Sequence, residues 1–530
     1  MTTQFATADW LVFTVYVLVM ISTGWYFNRQ KSANTDEYFL GGHKMPVFLV
    51  AVSVLATSQS AATFLGGPDQ GYRNDLSYLA TNMGAFIAAF FVAFFLIPKF
   101  YQHKVTTVYE LLSQRFGKRA QKQAGMMYLF GRVFASGARL YMAAIAVSMI
   151  LFGNISAENV IISTLVLTTV GLLYSIIGGI RTVIYSDAIQ CCVYVSAAIL
   201  VLYFLLQAIP ADFSQILDAL QNPPDREQSK LTVFNFNLDF TSSGVFTVWS
   251  ALTGFVLLNI AAFGLDQDMT QRVLTCKDAR QGSLAMIYSV IMVIPVMFLF
   301  IAIGLLLYLL YQRPDLAMGE TAQTINQTFS GEKITIFMYY VLNEIPAGVK
   351  GLVTIGVIAA ALSTLNSGLN SMASVLVQDM YRPYLEKRQI NKPAQHFVKA
   401  GQVGMALVAM ALSSMAVLCY YWQQYSDMPL LAFALSVMVF SYSGLLGVYF
   451  TAVFTNRGSA TTVPMALITG FLVSLVFQPY VIDNILPDQW QFNLGFTWQL
   501  CIGALLSFLV CFAGNNNHDP LKVKQMEVQP

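Results

Sequence analysis

Thirteen runs of mostly apolar residues recur along this 530-residue chain, and each approaches or exceeds the roughly 20 residues that carry a helix across a hydrocarbon layer about 30 Å thick. They lie near 9–28, 46–66, 76–98, 124–152, 158–178, 187–208, 245–264, 284–312, 347–380, 398–420, 429–453, 460–479 and 497–514. Inside a bilayer the backbone must satisfy its own polar groups, so these runs predict a polytopic, all-α membrane protein. Composition agrees: 56% of residues are hydrophobic and 11% charged, where a soluble domain carries about 25% charged residues. That is too little charge to coat a water-facing surface of this size, so lipid must solvate most of it. The first run is not a cleavable signal, because it carries Asp9, lacks a basic leader and has no small-residue cleavage site after it.

Several function classes drop out at this level. The net charge is +2, and no basic patch interleaved with aromatics suggests nucleic acid. None of the six cysteines forms a CxxC pair, and most sit in apolar runs, where cysteine behaves as a small hydrophobe. The four histidines lie in or beside polar connections, which excludes haem ligation within the membrane. No nucleophile–base pair or metal cluster points to catalysis, so the chain is expected not to be an enzyme. No resident cofactor and no obligate protein partner are implied.

Basic residues orient the chain. With the N-terminus outside and the runs alternating, about 21 Lys and Arg fall on one side and about six on the other, Arg132 and Arg139 remaining inside a span. This predicts an N-out, C-in topology with an odd number of spans. Residues 209–244 and 313–334 are then outside, and the amphipathic stretch from Thr107 to Lys122 is inside. The tail after Gly514 reads as a short polar extension rather than a fused soluble domain.

Ionisable residues inside spans are functional candidates by default. Asp187 opens the sixth span, where a helix-capping carboxylate explains it equally well. Arg132 and Arg139 sit seven residues apart on one helical face, where snorkelling or a structural ion pair is the plainer reading of an arginine. In the ninth span Ser363, Asn366 and Ser367 share a face at i, i+3, i+4. Their oxygens are hard ligands suited to a small cation; small-residue helix packing accounts for the same pattern. In the second span, Ala56-Thr57-Ser58-Gln59-Ser60 places consecutive small polar residues amid an apolar run. Either the helix is interrupted there, freeing carbonyls for an ion or solute, or it continues with buried hydroxyls.

Three segments in order carry a family resemblance. GVKGLVTIGVIAAALSTLNSGLNSMASVLVQDMY looks like the signature helix of the sodium:solute symporter family, which includes sodium–glucose, iodide, proline and sialic acid transporters. YSIIGGIRTVIYSDAIQ resembles its second signature, and TDEYFLGGHKMPVFLVAVSVLATSQSAATFLGGPDQGY resembles its first core helix. The similarity runs from Asp36 to about Arg457. It implies a LeuT-like 5+5 inverted-repeat core over 46–453, one extra helix at 9–28, two helices over 460–514 and a cytoplasmic tail at 515–530.

The resemblance also implies a site. The main sodium ligands would be the carbonyls of Ala56, Gln59 and Ala360 with the side chains of Ser363 and Thr364. Asp187, Ser363, Asn366 and Ser367 match a second sodium position, with an amide where hydroxyls are commoner, and Asp187 is expected to stabilise sodium there. For the solute, the galactose-binding set of the family maps onto Thr63, Asn82, Ser58, Asn259 and Ile291, where only Asn259 persists. The sialic acid members match better at Ser60 and Thr63, with Asn82 where they carry Gln. Their carboxylate-gripping arginine falls on Ala135 in an ungapped match, flanked by Arg132 and Arg139; Arg139, beside Leu140-Tyr141, is the expected counterpart. The implied function is a sodium-coupled symporter of a small polar solute (sugar, sialic acid or other carboxylate) in a bacterial inner membrane. A proton-coupled symporter of the same fold and a transporter-like solute sensor are the alternatives.

Overall fold

A computed structural model describes residues 5–28, 34–313, 315–316, 328–329, 332–333, 335–423, 430–478, 481–482, 487 and 491–515. Arg29, Lys31, Lys522, Lys524 and the tail from 516 onward lie outside the described residues. Each of the thirteen apolar runs is helical. Among the described residues nine helices are individually long and apolar enough to cross a membrane. Of the other four runs one is broken, one is the long helix Lys118–Phe152 with Arg132 and Arg139, and two are short helices, Thr462–Val476 and Phe496–Phe512.

The first span is α1, Thr7–Asn28, followed by a short helix α2, Thr35–Leu40. The expected second span is two helices, α3, Val47–Ser58, and α4, Ala61–Arg73, with Gln59 and Ser60 extended between them. Then come α5, Leu76–Gln102, a short helix α6, Glu110–Phe116, and α7, Lys118–Phe152. The amphipathic stretch expected from Thr107 to Lys122 is thus not one element: Gly117 splits it, and its second part opens α7. The run Ala157–Ala208 is kinked at Gly179 (φ +60°), which separates α8, residues 157–178, from α9, residues 180–208. A Cβ at Gly179 would press within 2.6 Å of the Tyr38 carbonyl, so α2 docks against this kink.

The second half repeats the plan. After α10, Phe213–Gln221, the span α11, Val248–Leu265, breaks at Asp266 and resumes as α12, Gln267–Val273. There follow α13, Ala279–Gln312, a two-residue hairpin pairing Thr328 with Lys333 and Phe329 with Glu332, and α14, Ile336–Asn343. The remaining spans are α15, Val349–Lys387, α16, Ala394–Gln423, and α17, Leu430–Phe454. Last are α18, Thr462–Val476, and α19, Phe496–Phe512, which pack on α17.

Two contacts fix the broken helix. Gly71 on α4 and Gly304 on α13 let the two backbones touch: a Cβ at Gly71 would collide with the Ile301 carbonyl oxygen, and one at Gly304 with that of Pro68. The far end of α4 is held by the connection after α9. There the buried Lys230 donates to the carbonyls of Gly71, Tyr72 and Asn74 at 3.1, 2.9 and 2.6 Å, its Nζ 4.1 Å from the centre of the Tyr308 ring. A cation at helix-terminal carbonyls is favourable by both hydrogen bonding and dipole.

The N-terminal helix is also tied to the core. Asp9 Oδ1 accepts from the backbone N–H of Gly348 and of Gly351, both at 2.7 Å. It thereby caps donors at the start of α15 that have no partner within that helix. Leu11, Leu18 and Ile21 on the other faces of α1 are exposed, as expected of a surface that meets lipid.

Candidate ion and solute site

The break between α3 and α4 follows from its sequence. Ser58, Gln59 and Ser60 have side chains that compete with helical hydrogen bonding, and Ser58 Oγ does so directly, donating to Leu55 O at 2.7 Å. The last ladder bond of α3 runs from Gln59 N to Leu55 O. The next helix begins by bonding Thr63 N and Phe64 N to Ser60 O. The carbonyls of Ala56 through Gln59 therefore lie outside both ladders, as at any helix end. Ala56 and Gln59 are nevertheless buried, and so is the Gln59 Oε1 atom, which has no hydrogen-bond partner.

Helix α15 packs against both halves of the broken helix and carries the matching oxygens. Ala360, Ser363 and Thr364 are all buried. Thr364 Oγ1 donates to Ala360 O at 3.2 Å, and Ser363 Oγ donates to Asp187 Oδ1 at 2.7 Å. With its proton committed to Asp187, Ser363 keeps its lone pairs for a cation. Neutral carbonyl and hydroxyl oxygens in a dry setting suit a small hard cation, so these residues fit sodium.

Below this lies a continuous chain of buried charge. Asp187 Oδ2 accepts from Ser53 Oγ at 2.5 Å and from Arg272 Nη2 at 3.0 Å. Arg272 passes on to Asp268 through Nη1, at 2.6 Å to its carbonyl and 3.0 Å to Oδ1. Arg132 then bridges Asp268 Oδ2 and, at 2.9 Å, Asp266 Oδ2, which also accepts from Tyr442 Oη at 2.6 Å. Asp266 sits at the α11/α12 break and caps the second piece by accepting from Asp268 N at 2.9 Å. All five charged residues are essentially inaccessible.

Arg272, a basic residue of the segment that follows the seventh apolar run, is fully buried in this chain of ion pairs. Its signal was the acid–arginine spacing Asp268–Arg272 directly after an apolar run. Within the quartet Asp187, Ser363, Asn366 and Ser367, Asp187 and Ser363 are bonded to each other, while the other two side chains are placed differently. Ser363 bonds Asp187, Ser367 Oγ bonds Asp268 Oδ2 at 3.2 Å, and Asn366 Oδ1 is buried without a partner. A Cβ at Gly171 on α8 would lie 2.9 Å from that Asn366 oxygen.

The two arginines of α7 separate cleanly. Arg132 spends its guanidinium on two aspartates. Arg139 makes no ion pair among the described residues: Nη2 meets Met438 Sδ at 3.3 Å, and Nη1 is buried without a partner there. It lies in electrostatic range of Arg132, of Tyr442 on α17, of Asp266 and Asp268, and of Tyr78 at the start of α5.

The other expected solute residues are largely engaged locally. Thr63 Oγ1 accepts from Ser60 N at 3.5 Å within a capping box at the start of α4. Asn82 Nδ2 donates to Leu79 O at 3.0 Å and Asn259 Nδ2 to Phe255 O at 2.8 Å. Ile291 is exposed on α13 and takes no part. A further buried carboxylate escaped sequence reasoning: Asp379 accepts from Thr107 Oγ1 at 2.7 Å and Gln121 Nε2 at 2.6 Å. It closes the base of α15 against the α5–α7 connection.

Comparison with known proteins adds to this geometry. A family model described as the sodium:solute symporter family matches residues 38–470. The sodium/sialic acid symporter of Proteus mirabilis is 25% identical over 504 residues, covering 95% of this chain and 93% of the relative. The sodium/glucose cotransporter of Vibrio parahaemolyticus is 24% identical over 543 residues, covering 97% and 92%. Among solved structures, a substrate-bound, outward-open sodium-coupled sialic acid symporter matches with a TM-score of 0.78 at 22% identity, over 96% of this chain and 97% of the other. A nucleobase-cation-symport-1 family transporter in a closed conformation matches at 0.55 and 13% identity, over 90% and 94%.

Proposed function

This chain belongs to the sodium:solute symporter family, and we propose that it is a sodium-coupled symporter that brings a small carboxylate-bearing solute into the cell by alternating access. It is a multi-pass membrane protein with the leucine-transporter-like fold. We assign α3 to α17 to the two inverted fives of the core, α1 to the preceding span and α18 and α19 to the following pair. The N-terminus is outside a bacterial inner membrane and the basic connections face the cytoplasm, in keeping with the charge asymmetry.

The observation that carries this reading is the broken helix. Helix α15, which carries the Ser363 and Thr364 hydroxyls, packs against both halves of that helix, so sodium held between its free carbonyls and those hydroxyls would fasten α3 and α4 to α15. That contact exists only in states where the two are together, which gives sodium a preference among conformations and hence a means of coupling. Sodium and solute must then raise each other's affinity by the same factor. Sodium is cargo here and no covalent step is involved.

Arg139 supports a carboxylate over a neutral sugar. A guanidinium with one buried, unpartnered nitrogen suits a planar anion that takes two parallel hydrogen bonds. A neutral hexose would leave that charge unpaired.

The test is thermal stability of the purified protein with sodium or with choline, against sialic acid, short monocarboxylates, amino acids, myo-inositol and neutral hexoses. A ligand that binds only the folded state stabilises it by RT ln(1 + [L]/Kd). The expected result is a rise in midpoint with a carboxylate that appears only in sodium. A rise with hexose alone would return Arg139 to a structural role, and an equal rise in choline would remove sodium coupling.

A further inference from the structure

The cation beside Asp187 is already part of the chain. Asp187 Oδ2 accepts from Arg272 Nη2 and Ser53 Oγ, and Oδ1 from Ser363 Oγ, so both carboxylate oxygens are met by donors. Arg272 is not a side chain that has drifted in. Its Nε donates to Ser53 Oγ at 2.9 Å, its Nη1 to the Asp268 carbonyl and Oδ1, and its Nη2 to Asp187, all beyond the reach of solvent. A guanidinium using every nitrogen in a dry site is costly to dislodge, because its departure strands two carboxylates.

The remaining oxygens expected around a second ion point elsewhere, Ser367 to Asp268 and Asn366 toward Gly171 on α8.

We propose that Arg272 permanently occupies the cation position beside Asp187, so that the protein binds one sodium ion, at the helix break, and Asp187 acts as a positioning residue for Ser363. This rests on the sodium-symport reading above. Equilibrium binding of ²²Na⁺ to the purified full-length chain, without solute, counts the ions directly. The expected result is one sodium per chain with a hyperbolic isotherm. Two per chain, or a sigmoid isotherm, overturns the proposal while leaving symport intact. No bound sodium removes the symport reading itself.

Asp187→Asn supplies a second arm. With Asp187 only positioning Ser363, sodium affinity falls while the count stays at one. A wild-type count of two that falls to one in the variant identifies Asp187 as the ligand of a second ion and overturns the proposal. Should that variant not fold, the wild-type count decides alone.

Discussion

Arg139→Ala removes sodium-driven uptake of the carboxylate solute and leaves the stabilisation by sodium alone in place. Truncating one member of a buried, hydrogen-bonded charge pair costs about 2–5 kcal/mol, and about 1.4 kcal/mol is tenfold in affinity. A loss of between about thirty-fold and a few thousand-fold in solute affinity is therefore expected. The variant should fold, because Arg139 makes no ion pair and only a weak contact to Met438. Arg139→Lys restores charge without the planar fork and should recover only part of the loss. Unchanged carboxylate affinity in Arg139→Ala would place the solute's anionic group elsewhere.

Arg132→Ala has an equally large effect of a different kind. It leaves Asp266 and Asp268, both fully buried, without the guanidinium that bridges them. Removing one partner of a buried ion pair costs roughly 3–5 kcal/mol, because the remaining charge stays desolvated. That is a large share of the 5–15 kcal/mol by which a typical folded protein is stable. The expected outcome is a marked fall in thermal midpoint and in folded yield, with no ligand able to restore it. Arg132→Lys should fail as well, since one ammonium does not span two carboxylates as the fork does. A near-wild-type midpoint for Arg132→Ala would show that the two aspartates find other partners.

The contrast between these arginines shows where sequence reasoning reaches its limit. Their seven-residue spacing puts them on one face of α7, which is legible. Which of them meets acid depends on α11 breaking at Asp266, and nothing in Ala261-Ala262-Phe263-Gly264-Leu265 announces that break as Thr57-Ser58-Gln59-Ser60 announces the first. The early break was readable because its small polar residues interrupt an apolar run; the later one lies where the apolar run ends anyway. The burial of Arg272 was not legible, because distance from a span end says nothing of burial. The same holds for Lys230, counted as an outside charge yet closing the end of α4. Helical periodicity aligned Ser363, Asn366 and Ser367 correctly, but a shared face does not imply a shared neighbour: they face Asp187, α8 and Asp268 in turn. The helical character of the thirteen apolar runs, by contrast, follows from length and polarity.

Uptake into proteoliposomes holding the purified chain, under an inward sodium gradient and separately under an inward proton gradient without sodium, tests the central claim most directly. Labelled sialic acid and short monocarboxylates serve as solutes. The account predicts that one of them accumulates above its external concentration only while the sodium gradient lasts. Accumulation driven by the proton gradient alone, with no response to sodium, would contradict it.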